Sequence, residues 1–295
     1  MTKKTLLIYL ISFISFFVQS NYSTDQETSI AKINGISIAY VTAGEEDNPP
    51  VLMIMGLIAS HKVWGERMVN GLIEDGYRVI LFDNRDTGNS EKLDKLGKPN
   101  LYWKYFLYSL GIGFGAPYTL EDMADDGVAL LDHLEVDKAH IIGASMGGMI
   151  AQIIASKYPD RTSSLVSLMS SPRIPRVSEI SDRNQDNLRN MENVDAKSAQ
   201  DYGFYPRAMP RQLTAIFESG DRSNIVSNIS VPTLVLHGED DTLLPVKYGK
   251  LTAELIPNSS LKTYKDMGHN LPEEVIPVLI GDIINFYKQI DEIFQ

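Results

Sequence analysis

The chain has 295 residues, of which 43% are hydrophobic and 22% are charged, a composition that suits one large globular domain or two small ones. Its 27 basic and 38 acidic residues give a formal net charge of −11 at pH 7, and no basic run that could follow a phosphate backbone occurs, so we expect no nucleic-acid binding. Because the chain contains no cysteine, it has no disulfide, no thiolate nucleophile and no cysteine-based metal site.

The N-terminal segment is typical of a secretory signal peptide. Lys3 and Lys4 precede an apolar run of 14 residues, 5–18, which is too short to span a bilayer comfortably. Residues 18–20 then offer positions for signal peptidase. We therefore expect residues 1–20 to be removed, the protein to be secreted or periplasmic, and no stable membrane insertion after cleavage. The alternative is an uncleaved N-terminal membrane anchor.

The remaining chain, residues 27–295, is predicted to form one α/β domain. It begins with a β-hairpin at 29–42, where alternating apolar residues flank Asn34-Gly35, a pair suited to a type I′ turn. Strands and helices then alternate, and near-continuous apolar strands of this kind form a mostly parallel sheet covered by helices on both faces. Strands are predicted at 51–55, 79–82, 140–143, 165–169, 233–237 and 261–264, and helices at 63–74, 119–134, 146–158 and 276–290.

Two segments interrupt this alternation. Residues 93–117 carry an aromatic cluster, and we expect them to form an irregular segment outside the alternating strands and helices. This segment either lines a pocket or forms a satellite cluster at the surface. Residues 171–210 are rich in Arg, Asn, Ser and Pro and lack a long apolar stripe, so we expect a small cap segment inserted between strands of the sheet.

Ser145 lies in a Gly-x-Ser-x-Gly turn that follows a short apolar strand and opens a helix. The motif alone is weak, but this strand–turn–helix context is the one that a nucleophile elbow requires. A serine on such a sharp turn is strained and points its hydroxyl away from the sheet. The N-terminus of the following helix supplies unpaired N–H groups, and the N–H of Met146 is therefore a candidate oxyanion donor.

A serine hydroxyl is a weak nucleophile until a base takes its proton. In folds with a nucleophile elbow of this kind, the base is a histidine that follows the acid in the chain. His269 meets that condition, because it lies in the loop 266–272 between the last predicted strand and the last predicted helix. The other histidines are expected to be structural, although the one after the first parallel strand could still reach a pocket: His61, His133, His140 and His237.

The acid is expected in the loop after strand 233–237, at the carboxyl edge of the sheet. Three neighbouring acids compete there, Glu239, Asp240 and Asp241, and spacing alone does not choose between them. A second oxyanion donor is expected in the loop after the first parallel strand, where Gly56 permits close approach and the N–H of Leu57 could face the oxyanion. The alternative is a plain strand-to-helix turn.

Seven stretches in order, spread over most of the mature chain, resemble the α/β-hydrolase superfamily, and within it the esterase-like group that includes aclacinomycin methylesterases. The resemblance implies an α/β-hydrolase fold with a short cap and places the acid three residues after Gly238, at Asp241. It also supports Ser145 and His269 as nucleophile and base. The stretches are VLMIMGL, VILFDNRDTGNS, YTLEDMADDGVALLDHL, AHIIGASMGGMIAQ, RQLTAIFESGDRSN, VPTLVLHGEDDTLLP and DMGHNLP.

The same resemblance supports Leu57 and Met146 as the oxyanion donors and assigns a bracing role to the turn 83–90. One departure is Met55, which stands where relatives usually carry histidine, so a side chain that can orient the loop is lost. The cap is also short, which favours an open pocket.

The expected activity is that of a serine hydrolase that cleaves a small-molecule carboxylic ester through an acyl-enzyme, without a metal or an organic cofactor. A related thioesterase, lactonase or perhydrolase activity would use the same groups. The alternative from a different class is a receptor that retains the three residues but binds its ligand without turnover.

Overall fold

The structure is a computed structural model that describes residues 22–174, 197 and 201–294. The predicted signal peptide, residues 1–20, lies outside the described residues, and so does most of the predicted cap segment, 171–210. Among the residues described, no helix is long and apolar enough to cross a membrane.

The described chain is built around one eight-stranded sheet with the order β1-β2-β4-β3-β5-β6-β7-β8. β2 pairs antiparallel with both β1 and β4, and the other neighbouring strands pair in parallel, so the predicted mostly parallel α/β sheet is confirmed. The strands are β1 (Ser29–Ile33), β2 (Ile36–Ala43), β3 (Pro50–Ile54), β4 (Arg78–Phe82), β5 (Ala139–Ala144), β6 (Thr162–Leu168), β7 (Thr233–Gly238) and β8 (Ser259–Tyr264).

The predicted hairpin is also confirmed. Ile33 pairs with Ile36 across a two-residue turn in which Asn34 and Gly35 have φ values of 49° and 82°. Positive φ at both central residues is the geometry of a type I′ turn, which matches the right-handed twist of the flanking strands. The hairpin therefore forms the antiparallel edge of the sheet, on the side away from β8.

Helices flank the sheet on both faces, as expected. Within the described ranges they are α1 (Glu66–Glu74), α2 (Leu101–Ser109), α3 (Leu120–His133), α4 (Met146–Lys157), α5 (Met209–Ser219), α6 (Ser223–Ser227), α7 (Lys247–Leu255) and α8 (Ile276–Phe294). α3 begins directly after Thr119, the first residue of the helix predicted at 119–134, and the Thr119 hydroxyl accepts a hydrogen bond from the Asp122 N–H while the Asp122 carboxylate accepts one from the Thr119 N–H.

The aromatic segment 93–117 was expected to be irregular, and this prediction is wrong for its centre, which is helix α2. Asn100 caps that helix, and its side chain accepts a hydrogen bond from the Trp103 N–H. The helix carries no apolar stripe at helical spacing, because aromatic residues lie all around it. Tyr105 and Tyr108 contact Phe217 on α5, and Tyr108 and Phe217 are partly buried against the hydrophobic core on one face of the sheet.

The core lies on both faces of the sheet. Successive residues of β3 alternate between the two sides, with Leu52 in one cluster and Met53 in the other, and both are fully buried. One cluster includes α3 and α4, and the other includes α1 and α8. This burial holds the carboxyl ends of β3, β5 and β7 in fixed register, and the candidate site lies at that edge.

At this edge of the sheet, two glycines allow the backbones of neighbouring segments to come into direct contact. A Cβ on Gly147, in the first turn of α4, would overlap the Ile54 carbonyl oxygen at the end of β3. A Cβ on Gly238, the last residue of β7, would overlap the carbonyl oxygen of Met267. The loops that follow these strands are therefore in direct backbone contact with their neighbours.

Candidate active site

Ser145 occupies the turn between β5 and α4 in a conformation that favours glycine. Its φ of 57° and ψ of −120° lie outside the regions that residues with a Cβ normally adopt. The surrounding structure holds it there: its N–H donates to the Leu168 carbonyl at 3.0 Å, and its own carbonyl accepts a hydrogen bond from the Ser170 hydroxyl at 2.8 Å. The Ser145 side chain remains partly exposed, so the turn presents a hydroxyl that a ligand can reach.

His269 connects this hydroxyl to a carboxylate. Its Nε2 lies 2.9 Å from the Ser145 Oγ, and its Nδ1 lies 2.8 Å from Oδ2 of Asp241. A carboxylate can only accept, so Nδ1 carries the proton and Nε2 is left to accept the hydrogen of the serine hydroxyl. The three predicted residues, separated by 124 and 28 positions, thus form one continuous hydrogen-bonded relay.

Asp241 is buried, yet it is held in its charged form. Burial alone would raise its pKa, but hydrogen bonds from His237, His269 and the N–H of Leu244 outweigh that effect and lower the pKa to about 2. Oδ1 accepts the N–H groups of Leu243 and Leu244 at 2.9 and 2.8 Å. At neutral pH the carboxylate is therefore ionised and fixed toward the imidazole.

The structure distinguishes between Glu239, Asp240 and Asp241, the three acids among which spacing could not choose. Only Asp241 among them contacts His269, and its side chain is fully buried. Glu239 is exposed and accepts a hydrogen bond from the Thr263 hydroxyl, and Asp240 is exposed as well. The turn after β7 therefore directs one carboxylate inward and two toward solvent.

His237 has a role at the site that sequence reasoning did not assign. It was expected to be a structural residue at a strand end, and its Nε2 does lie 2.6 Å from the Leu244 carbonyl oxygen. The same nitrogen also lies 3.5 Å from Oδ2 of Asp241, so the acid is flanked by two histidines. The sequence offered one indication of this role, because His237 lies four residues before Asp241 and a tight turn connects them.

The two predicted oxyanion donors lie on either side of the serine. Met146 directly follows Ser145 and is the first residue of α4. Leu57 follows Gly56, which lies against the serine: a Cβ at Gly56 would be 3.1 Å from the Ser145 Cβ. Within the described part of the chain, neither the N–H of Leu57 nor that of Met146 donates to a protein acceptor. Both donors are thus available to a ligand oxygen.

His61, which could have reached the site, is used instead in the bracing turn after β4. It is buried, and both its N–H and its Nδ1 contact Oδ1 of Asp83, at 2.8 and 2.7 Å. Ser90 donates its hydroxyl hydrogen to the Asp83 carbonyl and accepts the Ala39 N–H. Arg85 pairs with the buried Asp126 at 2.7 Å. This turn therefore ties β2 and the segment after β3 to the end of β4.

The chemistry that this arrangement supports is nucleophilic attack by an activated serine on an electrophilic carbonyl. Ser145, His269 and Asp241 are hydrogen-bonded in sequence, and the N–H groups of Leu57 and Met146 belong to residues that adjoin Gly56 and Ser145. Among the residues described, no group of three or more His, Asp or Glu side chains is arranged to hold a metal ion.

Comparison with known proteins gives the same fold. The model of a family described as alpha/beta hydrolase fold matches residues 49–202, which is slightly more than half of the chain. A hydrolase from Pseudomonas aeruginosa PA01, known from its crystal structure, superposes with a TM-score of 0.69 at 22% identity, over 89% of this chain and 99% of that one. At this identity the likeness establishes the fold alone.

Two curated enzymes are similar in sequence. Rhodomycin D methylesterase DnrP of Streptomyces peucetius is 32% identical over 126 residues, which are 43% of this chain and 36% of that enzyme. The match therefore spans about a third of the methylesterase. 3-Oxoadipate enol-lactonase 2 of Acinetobacter baylyi is 24% identical over 248 residues, 77% of this chain and 84% of that enzyme.

Proposed function

The chain belongs to the alpha/beta hydrolase fold family, and from that membership and its site geometry we propose that it is a serine hydrolase acting on carboxylic esters of small molecules. The observation that carries the proposal is the relay from the Ser145 Oγ through His269 to Asp241, with distances of 2.9 and 2.8 Å. The names of similar proteins, a methylesterase and an enol-lactonase, are consistent with an ester or a cyclic ester as the substrate.

In the proposed acylation step, the Oγ of Ser145 attacks the ester carbonyl carbon while Nε2 of His269 takes the hydroxyl proton. The tetrahedral intermediate carries a negative oxygen, which the N–H groups of Leu57 and Met146 stabilise by about 3 kcal/mol each. Collapse breaks the bond to the alcohol oxygen, and the imidazolium gives its proton to that leaving group. The product is an acyl-serine and a free alcohol.

In the deacylation step, water takes the place of the alcohol. Nε2 of His269 removes a proton from the water, whose oxygen attacks the acyl carbon to give a second tetrahedral intermediate. Collapse of that intermediate breaks the bond between the acyl carbon and the Ser145 Oγ, the imidazolium of His269 returns the proton to that oxygen, and the carboxylic acid is released. Asp241 holds the imidazole in the tautomer that leaves Nε2 free and stabilises its charged form in both steps. The low pKa of this buried carboxyl keeps it ionised throughout the neutral range.

The test is hydrolysis of p-nitrophenyl esters from acetate to laurate by the wild type, Ser145→Ala and a matched control, Ser109→Ala. Ser109 is exposed at the end of α2, where its hydroxyl donates to the Phe106 carbonyl of the same helix, so its loss should leave turnover unchanged. We expect repeated turnover by the wild type and a loss of about 10⁴-fold or more in Ser145→Ala. A folded wild-type protein that turns over none of these esters would favour the ligand-binding receptor instead.

We also propose that the protein is exported, a proposal supported only by the sequence of residues 1–20, where two lysines precede an apolar run. N-terminal sequencing of the protein from cell fractions tests it. A mature N-terminus near Tyr22 outside the cytoplasm is the expected result. An intact Lys3-Lys4 terminus recovered with membranes would instead indicate an uncleaved anchor.

A further inference from the structure

The loop that carries the Leu57 N–H is fixed to the rest of the molecule at the next residue, Ile58. The Ile58 N–H donates to Oε1 of Gln212 at 2.7 Å, and the Ile58 carbonyl accepts the N–H of Tyr205 at 3.0 Å. Gln212 lies 154 residues further along the chain and is fully buried on α5. Both partners therefore come from the segment that returns to the sheet after residue 200.

Ile58 needs this fixation because its backbone is strained. Its φ is 56°, in the left-handed region, where a β-branched side chain is a rare outlier that costs about 1–3 kcal/mol. Such a conformation persists only where neighbouring groups determine it. The peptide group with the Ile58 N–H and the peptide group with the Leu57 N–H share the Leu57 Cα atom. Fixing the orientation of the first peptide group therefore restricts the orientation of the second.

The Gln212 side chain is itself held in a defined orientation. Its Oε1 accepts the Ile58 N–H, and its Nε2 lies 3.4 Å from the Arg85 carbonyl oxygen. Because the amide oxygen can only accept and the amide nitrogen can only donate, these two contacts fix the orientation of the amide group. The preceding residue, Arg211, anchors α5 through Asp86, with its Nε 2.5 Å from Oδ2 and its Nη2 3.0 Å from Oδ1. The acceptor that Ile58 meets is thus rigid rather than adaptable.

We propose that Gln212 is a positioning residue of the oxyanion hole, which holds the loop after β3 so that the Leu57 N–H faces the oxyanion of the tetrahedral intermediate. The inference rests on the proposed serine-hydrolase function. Gln212 acts through Ile58 and touches neither nucleophile nor base. Its removal should therefore raise the energy of the transition state more than that of the bound substrate.

The experiment compares Gln212→Met with Thr214→Val. Methionine has nearly the volume of glutamine but offers no comparable acceptor to the Ile58 N–H. Thr214 is also buried on α5, where its hydroxyl donates to the Pro210 carbonyl at 2.6 Å, and it lies outside the site. Thr214→Val therefore removes a buried hydrogen bond of the same helix without touching the loop, and urea unfolding measures the loss of stability in each variant.

For Gln212→Met we expect kcat on a p-nitrophenyl ester to fall by about 10–100-fold, with KM within about twofold, because a misplaced donor loses part of its transition-state stabilisation. Binding of phenylboronic acid, which forms a tetrahedral adduct on the serine, should weaken by a similar factor. Thr214→Val should retain wild-type kcat and boronate affinity. If Gln212→Met fails to fold, Gln212→Asn, which withdraws the acceptor by one methylene, is expected to show the same kcat effect.

The outcomes separate the two proposals. A wild type that hydrolyses esters, combined with a Gln212→Met variant that matches Thr214→Val in kcat and boronate affinity, would overturn the positioning role and leave the hydrolase proposal intact. A proportional rise in KM with unchanged kcat would also overturn it. A folded wild type without ester turnover would overturn both.

Discussion

The strain at Ser145 predicts a stability difference between two variants that lack its hydroxyl. At φ 57° and ψ −120°, a residue with a Cβ carries about 1–3 kcal/mol of strain, whereas glycine adopts this conformation readily. Ser145→Ala and Ser145→Gly both remove the hydroxyl, so the Cβ is what distinguishes them. Glycine loses about 0.5–1 kcal/mol more backbone entropy on folding, which leaves Ser145→Gly more stable than Ser145→Ala by about 1 kcal/mol.

The assay is urea unfolding of the full chain at pH 7, followed by circular dichroism, with the midpoints of the two variants compared at equal slope. The control is Ala144→Gly, one residue earlier in β5, where the backbone is an ordinary extended strand. There glycine should destabilise the protein by about 1 kcal/mol, the opposite direction. A Ser145→Gly variant no more stable than Ser145→Ala would refute the argument that strain is stored at this turn.

Three further predictions concern stability. Arg211→Met leaves Asp86 as an uncompensated buried charge and should lower the free energy of unfolding by about 3–5 kcal/mol, whereas Arg207→Met, at a side chain that is 79% exposed, should change it little. The folded-state pKa of Asp241, about 2, lies below the usual value of 3.8 for this carboxyl, which corresponds to a stabilisation of about 2 kcal/mol that is present above pH 4 and is lost as the pH falls through 2. The stability gap to Asp241→Asn should therefore narrow between pH 5 and 2, and a constant gap would contradict this. Thr119→Ala removes one half of the capping box and should lower the free energy of unfolding by about 1 kcal/mol, measured in the same way.

The central strands β3, β4 and β5 were predictable because they are buried on both faces and are therefore rich in consecutive apolar residues. Ala139–Ala144 illustrates this, since all six of its residues are buried. Helix α2 was not predictable from periodicity, because Tyr102 and Trp103 are exposed on the same short helix whose other side packs on α5. Its aromatic composition hides the face that is buried.

Motif and chain order predicted Ser145 as the nucleophile and His269 as the base, but they did not choose among Glu239, Asp240 and Asp241. Those three acids lie in one turn, and only the three-dimensional course of that turn decides which carboxylate faces inward. The contact between Gln212 and Ile58 was also beyond sequence reasoning. It joins residues 154 positions apart through one side-chain amide, and no local pattern marks such a pair.

The backbone contacts at Gly147 and Gly238 bear on how substitutions around the candidate site could change its ligand preference. Because the turns that carry Ser145 and Asp241 are held by contacts between backbone atoms, their spacing depends little on the shape of neighbouring side chains. Side chains that surround a substrate can therefore be exchanged without moving the reacting groups. We therefore expect libraries directed at side chains around the candidate site to leave the hydrogen bonds between Ser145, His269 and Asp241 intact.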